Sequence, residues 1–209
     1  MPRPTTAAER SAPRRRRADA ERSVAAILDA GLEALASDPD SSMSEIAGRA
    51  GVVRATIYVH FPTRTALLDA VMEHAVDQVV EAMKRAEPAR GRPAEALERV
   101  LLATWRELAR FHGLLALNTA RLSAEELHRR HVPMLDQLEP LIERGQREGV
   151  FRSDLPIAWH LAVIRAIVHA ASASIEGGRL EESEAEAAML TTALAAIAAP
   201  NGLIRRRGR

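Results

Sequence analysis

The chain has no cysteine among its 209 residues, which excludes disulfides, thiol nucleophiles and cysteine-ligated zinc. Aromatic residues make up only 3% of it, so the single tyrosine and each of the three phenylalanines call for a reason to be where they are. No apolar run approaches the roughly 18 to 20 residues of a membrane span, and the arginine-rich start is not followed by the apolar stretch of a signal peptide. The expected location is therefore the cytoplasm, with no membrane partner. Neither a glycine-rich phosphate loop nor a serine, histidine and acid arrangement stands out, so neither an enzyme activity nor a cofactor is expected. What is present, 47% hydrophobic and 27% charged residues, is the balance of a soluble globular protein with one sizeable core or two smaller ones.

The net charge of +1 conceals an uneven distribution. "RSAPRRRRADAER" lies near the start and "RRRGR" at the very end, and such basic runs read as arms that touch nucleic acid or as solubilising tails. Residues 1–18 are expected to be a disordered basic arm and 200–209 a basic tail.

Between the arms the apolar residues recur at helical steps. Val24, Ile27, Leu28, Gly31 and Leu35 share one face until "SDPD" breaks the pattern. Ser42 to Glu45 has the form of a capping box and opens a short second helix with Ile46, Ala47 and Ala50, after which Gly51 suits a left-handed turn. A third helix runs from Arg54 to Phe61, where Pro62 disfavours helical geometry in the residue before it. Thr63 can cap a fourth, which carries apolar residues from Leu67 to Met83 and ends before "EPARGRP". Pro93 suits the first position of a fifth, which breaks near Gly113, and a short segment follows from Leu114. A second capping box, Ser123 to Glu126, opens a helix reaching about Glu148, which Pro133 and Pro140 should kink or divide. Pro156 to Ile175 and Glu182 to Ala198 complete the set, and no segment reads as a convincing strand.

Two short helices joined by a tight glycine turn form a helix-turn-helix, in which the first braces the second so that it can lie in the major groove of DNA. Ala47 lets the helices approach, Gly51 makes the turn, and Ile46, Val52 and Ile57 face the first helix. At the N-terminal end of the third helix, Arg54 can pair with O6 and N7 of guanine, while Ala55 and Thr56 can pack on a thymine methyl or reach a phosphate. Solvent-facing charge is the alternative for Arg54.

From Ser42 to Leu68 the sequence "SMSEIAGRAGVVRATIYVHFPTRTALL" closely resembles the DNA-binding signature of the TetR/AcrR family of transcriptional regulators, and "ILDAGLEALA" is similar to that family's first helix. The resemblance is specific over about residues 20–72 and rests beyond that on helix order and length. It implies an all-α fold, with an N-terminal three-helix helix-turn-helix DNA-binding domain over 19–63 and a C-terminal helical bundle for effector binding and dimerisation over 64–199. It also implies that Tyr58 bonds a phosphate through its hydroxyl, although a core aromatic with a partly wet hydroxyl is compatible with the same ring. Phe61 closes the small core. The candidate DNA-contacting set is Ser42, Ser44, Val53, Arg54, Ala55, Thr56, Tyr58, His60 and Arg64, the last where the family usually has lysine. Val53 replaces the serine or threonine common at the start of the recognition helix, so that cap is missing.

A single helix-turn-helix covers too little DNA for useful specificity, so a homodimer on double-stranded operator DNA is expected. The helix from residue 156 has two apolar stripes, and the expected interface residues are Leu161, Ile164, Val168 and Ile175, with Leu190, Leu194 and Ile197 from the last helix. The resemblance implies a pocket for a small-molecule effector, with Met83, Trp105, Leu108, His112, Asn118, Met134, Trp159 and Arg165 as candidate lining. The reading is a repressor released by that effector. Its alternative is a helical interaction or metal-binding module, for which Glu125, His128 and His131 share a helix face at spacing three, beside arginines that oppose a cation.

Overall fold

The computed structural model describes residues 7–110 and 123–200, and only the backbone of 7–16. Among the described residues there are eight helices: α1 (Ala7–Ser37), α2 (Met43–Arg49), α3 (Arg54–His60), α4 (Arg64–Arg85), α5 (Pro93–Ala109), α6 (Ala124–Arg147), α7 (Ile157–Glu176) and α8 (Glu182–Ile197). None of the described residues forms a strand, and one antiparallel bridge joins Phe151 to Ala198. The segment expected from Leu114 and the tail from 201 lie outside the described residues. α1 begins at Ala7, within the stretch expected to be a disordered arm. That stretch is rich in alanine and arginine, which are strong helix formers, and the helix runs through it despite Pro13.

The chain divides into two compact units between Ala75 and Val76, inside α4. In the first unit, Ile27, Ala30, Leu32, Ala34 and Leu35 of α1 are buried together with Ile46, Ile57, Leu67 and Val71. Gly31 is what lets α1 and α4 approach: a Cβ there would lie 2.8 Å from Val71 Cγ2. The two helices are also tied at their surface, where His74 Nε2 and Asp29 Oδ1 are 2.8 Å apart.

In the second unit α5 packs against α6 and α8, α6 against α7, and α7 most extensively against α8. Two arginines fix the connection between α4 and α5, which has no regular structure to satisfy its carbonyls. Arg99 donates to the carbonyls of Ala86, Glu87 and Arg90, and Arg144 to those of Pro88 and Gly91. The α6–α7 connection is held from inside. His160, fully buried, has its Nε2 3.0 Å from the carbonyl of Arg152, and Gln146 donates to the carbonyls of Arg152 and Leu155.

Two expectations are corrected here. α6 is one element with Pro133 and Pro140 inside it, neither dividing it. Both prolines are on the exposed side, where water can satisfy the carbonyls that lose an amide partner. α7 qualifies the statement that no apolar run approaches a membrane span: it is long and apolar enough, by length and composition alone, to cross a bilayer, a test that the core helix of a soluble protein also passes. The periodic breaks that hide it in the sequence are His160, Arg165 and His169.

Glycine at 145 allows α6 to meet the chain that follows it. The Phe151 ring occupies the place where a Cβ would be, whereas a Cβ at Gly48 would meet nothing. Gly145→Ala should therefore lower stability by about 1–3 kcal/mol through overpacking. Gly48→Ala should raise it by up to about 1 kcal/mol through helix propensity. Urea unfolding of both variants measures the opposite signs.

Candidate nucleic-acid interface

The interface is built on α2 and α3, each only seven residues long. Ser42 caps α2: its Oγ accepts from the amide of Glu45 at 3.2 Å, and Glu45 Oε2 accepts from the amide of Ser42 at 2.6 Å. The hydrogen bond from the Ser42 amide, followed by that with its hydroxyl, holds the Glu45 carboxyl below its ordinary value. The cap uses an oxygen lone pair of Ser42 and leaves its hydroxyl proton available to an outside acceptor. Ser44, also exposed, stands in the first turn beside it.

The turn is closed by the amide of Val52 on the carbonyl of Ala47 at 3.0 Å and that of Gly51 on Gly48 at 3.2 Å. Gly51 has φ +68°, a left-handed value that other residues adopt at a cost. Ala47 and Ile46 are buried, and Ile57 from α3 is buried with them. α3 starts at Val53 without a side-chain cap, as its sequence implied, and ends at Phe61, extended ahead of Pro62.

With Ile57 inward, helical phase turns Ala55 and Val59 outward on the opposite side. Val59 is 76% exposed, Val53 70% and Tyr58 40%, while the other large apolar groups among the described residues of the first unit are at least half-buried. The Arg54 guanidinium stands 5.6 Å from the Tyr58 ring centroid, a cation–π contact one turn apart that gathers both groups at one edge of α3. Thr56 and His60, both half-buried, flank the other edge. Val59 was absent from the sequence-derived set, although the phase set by Ile57 and Phe61 was enough to find it.

Arg64 is placed differently from the rest. Half-buried, its guanidinium donates to the carbonyls of Ser41 and Pro39, more than twenty residues earlier. It braces the residues that lead into the Ser42 cap instead of standing free beside the other cations.

The remaining candidate residues separate by position. Met83 and Trp105 are buried, Leu108, Met134 and Arg165 are half-buried, and Trp159 is 56% exposed, so it forms no wall of an internal cavity in the protomer. His112 and Asn118 lie outside the described residues. Leu161, Ile164 and Ile197 are buried within their own chain and face its core instead of a partner, while Val168, Ile175, Leu190 and Leu194 are half-buried. The exposed side of α7 instead carries Trp159, Ala166, Ala170 and Ala173. Glu125 and His128 are exposed, and among the described residues no three metal-ligating side chains are gathered.

Two short helices about a glycine turn, with charged, aromatic and aliphatic groups on the outer face of the second, define a helix-turn-helix unit. The family model described as bacterial regulatory proteins, tetR family, matches residues 27–71. The HTH-type transcriptional repressor LfrR of Mycolicibacterium smegmatis is 42% identical over 81 residues, which span 39% of this chain and 43% of that repressor. The match thus covers less than half of the relative's length. The crystal structure of the TetR transcription regulatory protein from Mycobacterium vanbaalenii is 35% identical, covering 78% of this chain and 97% of that one with a TM-score of 0.58. That of LfrR from Mycobacterium smegmatis in complex with proflavine is 26% identical, covering 84% and 97%, with a TM-score of 0.63. The chain belongs to the TetR family of transcriptional regulators.

The Arg64 brace can be tested apart from any ligand. Arg64→Met should leave the Pro39 and Ser41 carbonyls without their donor, and amide exchange in α2 should quicken by at least about tenfold, since losing a charged hydrogen bond costs about 1.5–3 kcal/mol. Unchanged exchange in α2 would show that the guanidinium does not hold the cap in place.

Proposed function

We propose that this regulator is a repressor that binds operator DNA as a homodimer in the cytoplasm and is released by a small-molecule effector. The observation that carries the reading is the outward face of α3, where Arg54, Ala55, Tyr58 and Val59 stand clear of the core. LfrR, similar over this region, is named a transcriptional repressor, and its structure holds proflavine.

The chemistry of each group suggests its part. Arg54 leaves the Tyr58 ring to pair with O6 and N7 of guanine, which carries sequence information. Ala55 and Val59 present methyl groups to the groove, where the thymine methyl is the apolar partner, and Val53 extends that surface. Tyr58, Ser42 and Ser44 donate hydroxyl hydrogens to phosphates, positioning the helix without reading sequence. Thr56 and His60 lie toward the backbone, and Arg64 serves through the loop it braces.

For the dimer, the sequence-derived stripe is replaced by the opposite side of α7. Trp159, Ala166, Ala170 and Ala173 of that helix and Ala187, Ala188, Thr191 and Ala195 of α8 are exposed. Small side chains allow close backbone approach about a two-fold axis, with Trp159 supplying a large anchor. The dimer sets the separation of the two recognition helices against the roughly 34 Å between successive major grooves. α4 buries Leu67 and Val71 in the first unit and Val79 and Met83 in the second, so an effector acting on its second half changes that separation. The effector must bind the released state more tightly, because equal affinity for both states shifts nothing.

Selection of bound sequences from random DNA tests operator binding and its reading together. Arg54→Ala should lose preference at one base position in each half-site, whereas Tyr58→Phe should weaken all sequences evenly. Replacing thymine by uracil in the selected site should weaken the native protein and leave Val59→Ala unaffected at the contacted base. Absence of any selected sequence would remove the operator-binding proposal.

Assembly has its own test. Trp159→Glu should give a folded monomer by sedimentation, with unchanged circular dichroism, whereas Ile164→Glu should unfold the second unit by burying a charge. A Trp159→Glu protein that remains dimeric would move the interface elsewhere.

A further inference from the structure

We propose that His131, His169 and Arg165 form a proton-linked binding site for an organic carboxylate, the chemical class of the effector. The inference deepens the ligand-responsive part of the preceding proposal and rests on it.

His131 on α6 and His169 on α7 come from positions 38 residues apart, and their Nε2 atoms are 3.2 Å apart. The rings meet edge to face, with centroids separated by 5.2 Å. Their proton arrangement follows from one neighbour. His131 Nδ1 is 2.6 Å from the carbonyl oxygen of Leu127, which only accepts, so Nδ1 carries the proton and Nε2 presents a bare lone pair. The proton between the rings therefore belongs to His169 Nε2, and two neutral imidazoles share it.

The surroundings are cationic. Arg165 precedes His169 by one turn of α7, and His128 precedes His131 by one turn of α6; among the described residues these are the charged and titratable groups that act on the pair. Burial, then Arg165 and His128, hold His131 below its ordinary value against the opposing pull of the Leu127 carbonyl. Burial, then His131 and Arg165, do the same for His169.

A ligand's sign follows from that charge. A divalent cation between the two Nε2 atoms would face Arg165 and His128, and the described residues gather no third metal ligand. A carboxylate is attracted by the same groups and matches the fork of Arg165. Its charge offsets both the cationic neighbours and the cost of a buried positive charge on the histidine pair. Binding then draws a proton onto the pair, which becomes a donor to the ligand.

The linkage has a definite sign. Because the pair's pKa is higher in the bound than in the free state, affinity is greatest at low pH. It falls as pH rises between the two values, by up to about tenfold per unit for one proton.

Calorimetric titration of the full chain with benzoate, and with benzamide as its uncharged counterpart, tests this between pH 5.5 and 8. Benzoate should bind once per chain, at least about tenfold more tightly than benzamide. Two buffers of different ionisation heat should show uptake of up to about one proton. Arg165→Gln and His169→Asn should each weaken benzoate about tenfold or more, with circular dichroism unchanged. If His169→Asn does not fold, Arg165→Gln decides the matter, since that side chain is half-exposed. Absent benzoate binding, equal affinity for benzamide, no proton uptake, or undiminished binding by Arg165→Gln would each overturn the proposal. So would zinc binding that His169→Asn abolishes, which would make the pair a metal site. Operator binding by the same preparations is read separately, so failure of the anion site leaves the regulator intact, and loss of operator binding indicts the regulator reading alone.

Discussion

A helix of seven residues is not stable by itself in water, because nucleation costs more than so few hydrogen bonds return. α2 and α3 are both of that length, and whatever the first unit presents outward depends on how they are held. Burial of Ile46 and Ile57 supplies most of the holding, since each such fully buried side chain contributes roughly 1.5–3 kcal/mol, and buried Ala47 lets the helices approach. The Ser42–Glu45 cap adds about 1 kcal/mol at the entry to α2. Arg64 then fixes the backbone just ahead of that cap from the first turn of α4. α3 has no cap, so its geometry is set almost wholly by packing of Ile57 and by the extended Phe61 before Pro62.

This division explains what could be read from the sequence. Ser42 with Glu45, Ser123 with Glu126, Gly51, Pro62, Thr63 and Pro93 act through neighbours three or four residues away, so their consequences are written in the local string. The all-helical fold was legible for the same reason, as was the outer position of Arg54. The partners of Arg64 were not, because its carbonyls lie 23 and 25 residues back and a basic residue after a recognition helix suggests phosphate just as readily. Pro133 and Pro140 do not divide α6, and the carbonyls that lose an amide partner are on its exposed side. The His131–His169 pair joins two helices whose register no sequence pattern specifies.

The face of α7 was the hardest feature to assign, and the physical reason is compositional. Both of its stripes are apolar, so helical periodicity shows two candidates and cannot say which one meets the protein's own core. The structure separates them by burial: Leu161, Ile164 and Ala171 go inward, and Trp159, Ala166, Ala170 and Ala173 stay outside. The helix also has a charged flank between these faces, with Arg165 and His169 toward α6. Three neighbourhoods on one helix account for its high mean hydropathy without requiring a lipid environment.

Under the proposed reading of guanine by Arg54, its contact with Tyr58 changes what base recognition measures. Before DNA arrives the guanidinium already has a partner, and that stack is worth about 0.5–1 kcal/mol at an exposed site. A bidentate pair with guanine is worth about 1–3 kcal/mol of discrimination, so recognition is an exchange of partners and its net gain is the difference. On a base that offers no such pair, the arginine keeps its place on the ring and loses little. Wrong sequences then hold the protein weakly without leaving a cation stranded, which favours rapid departure and a smooth one-dimensional search along the duplex.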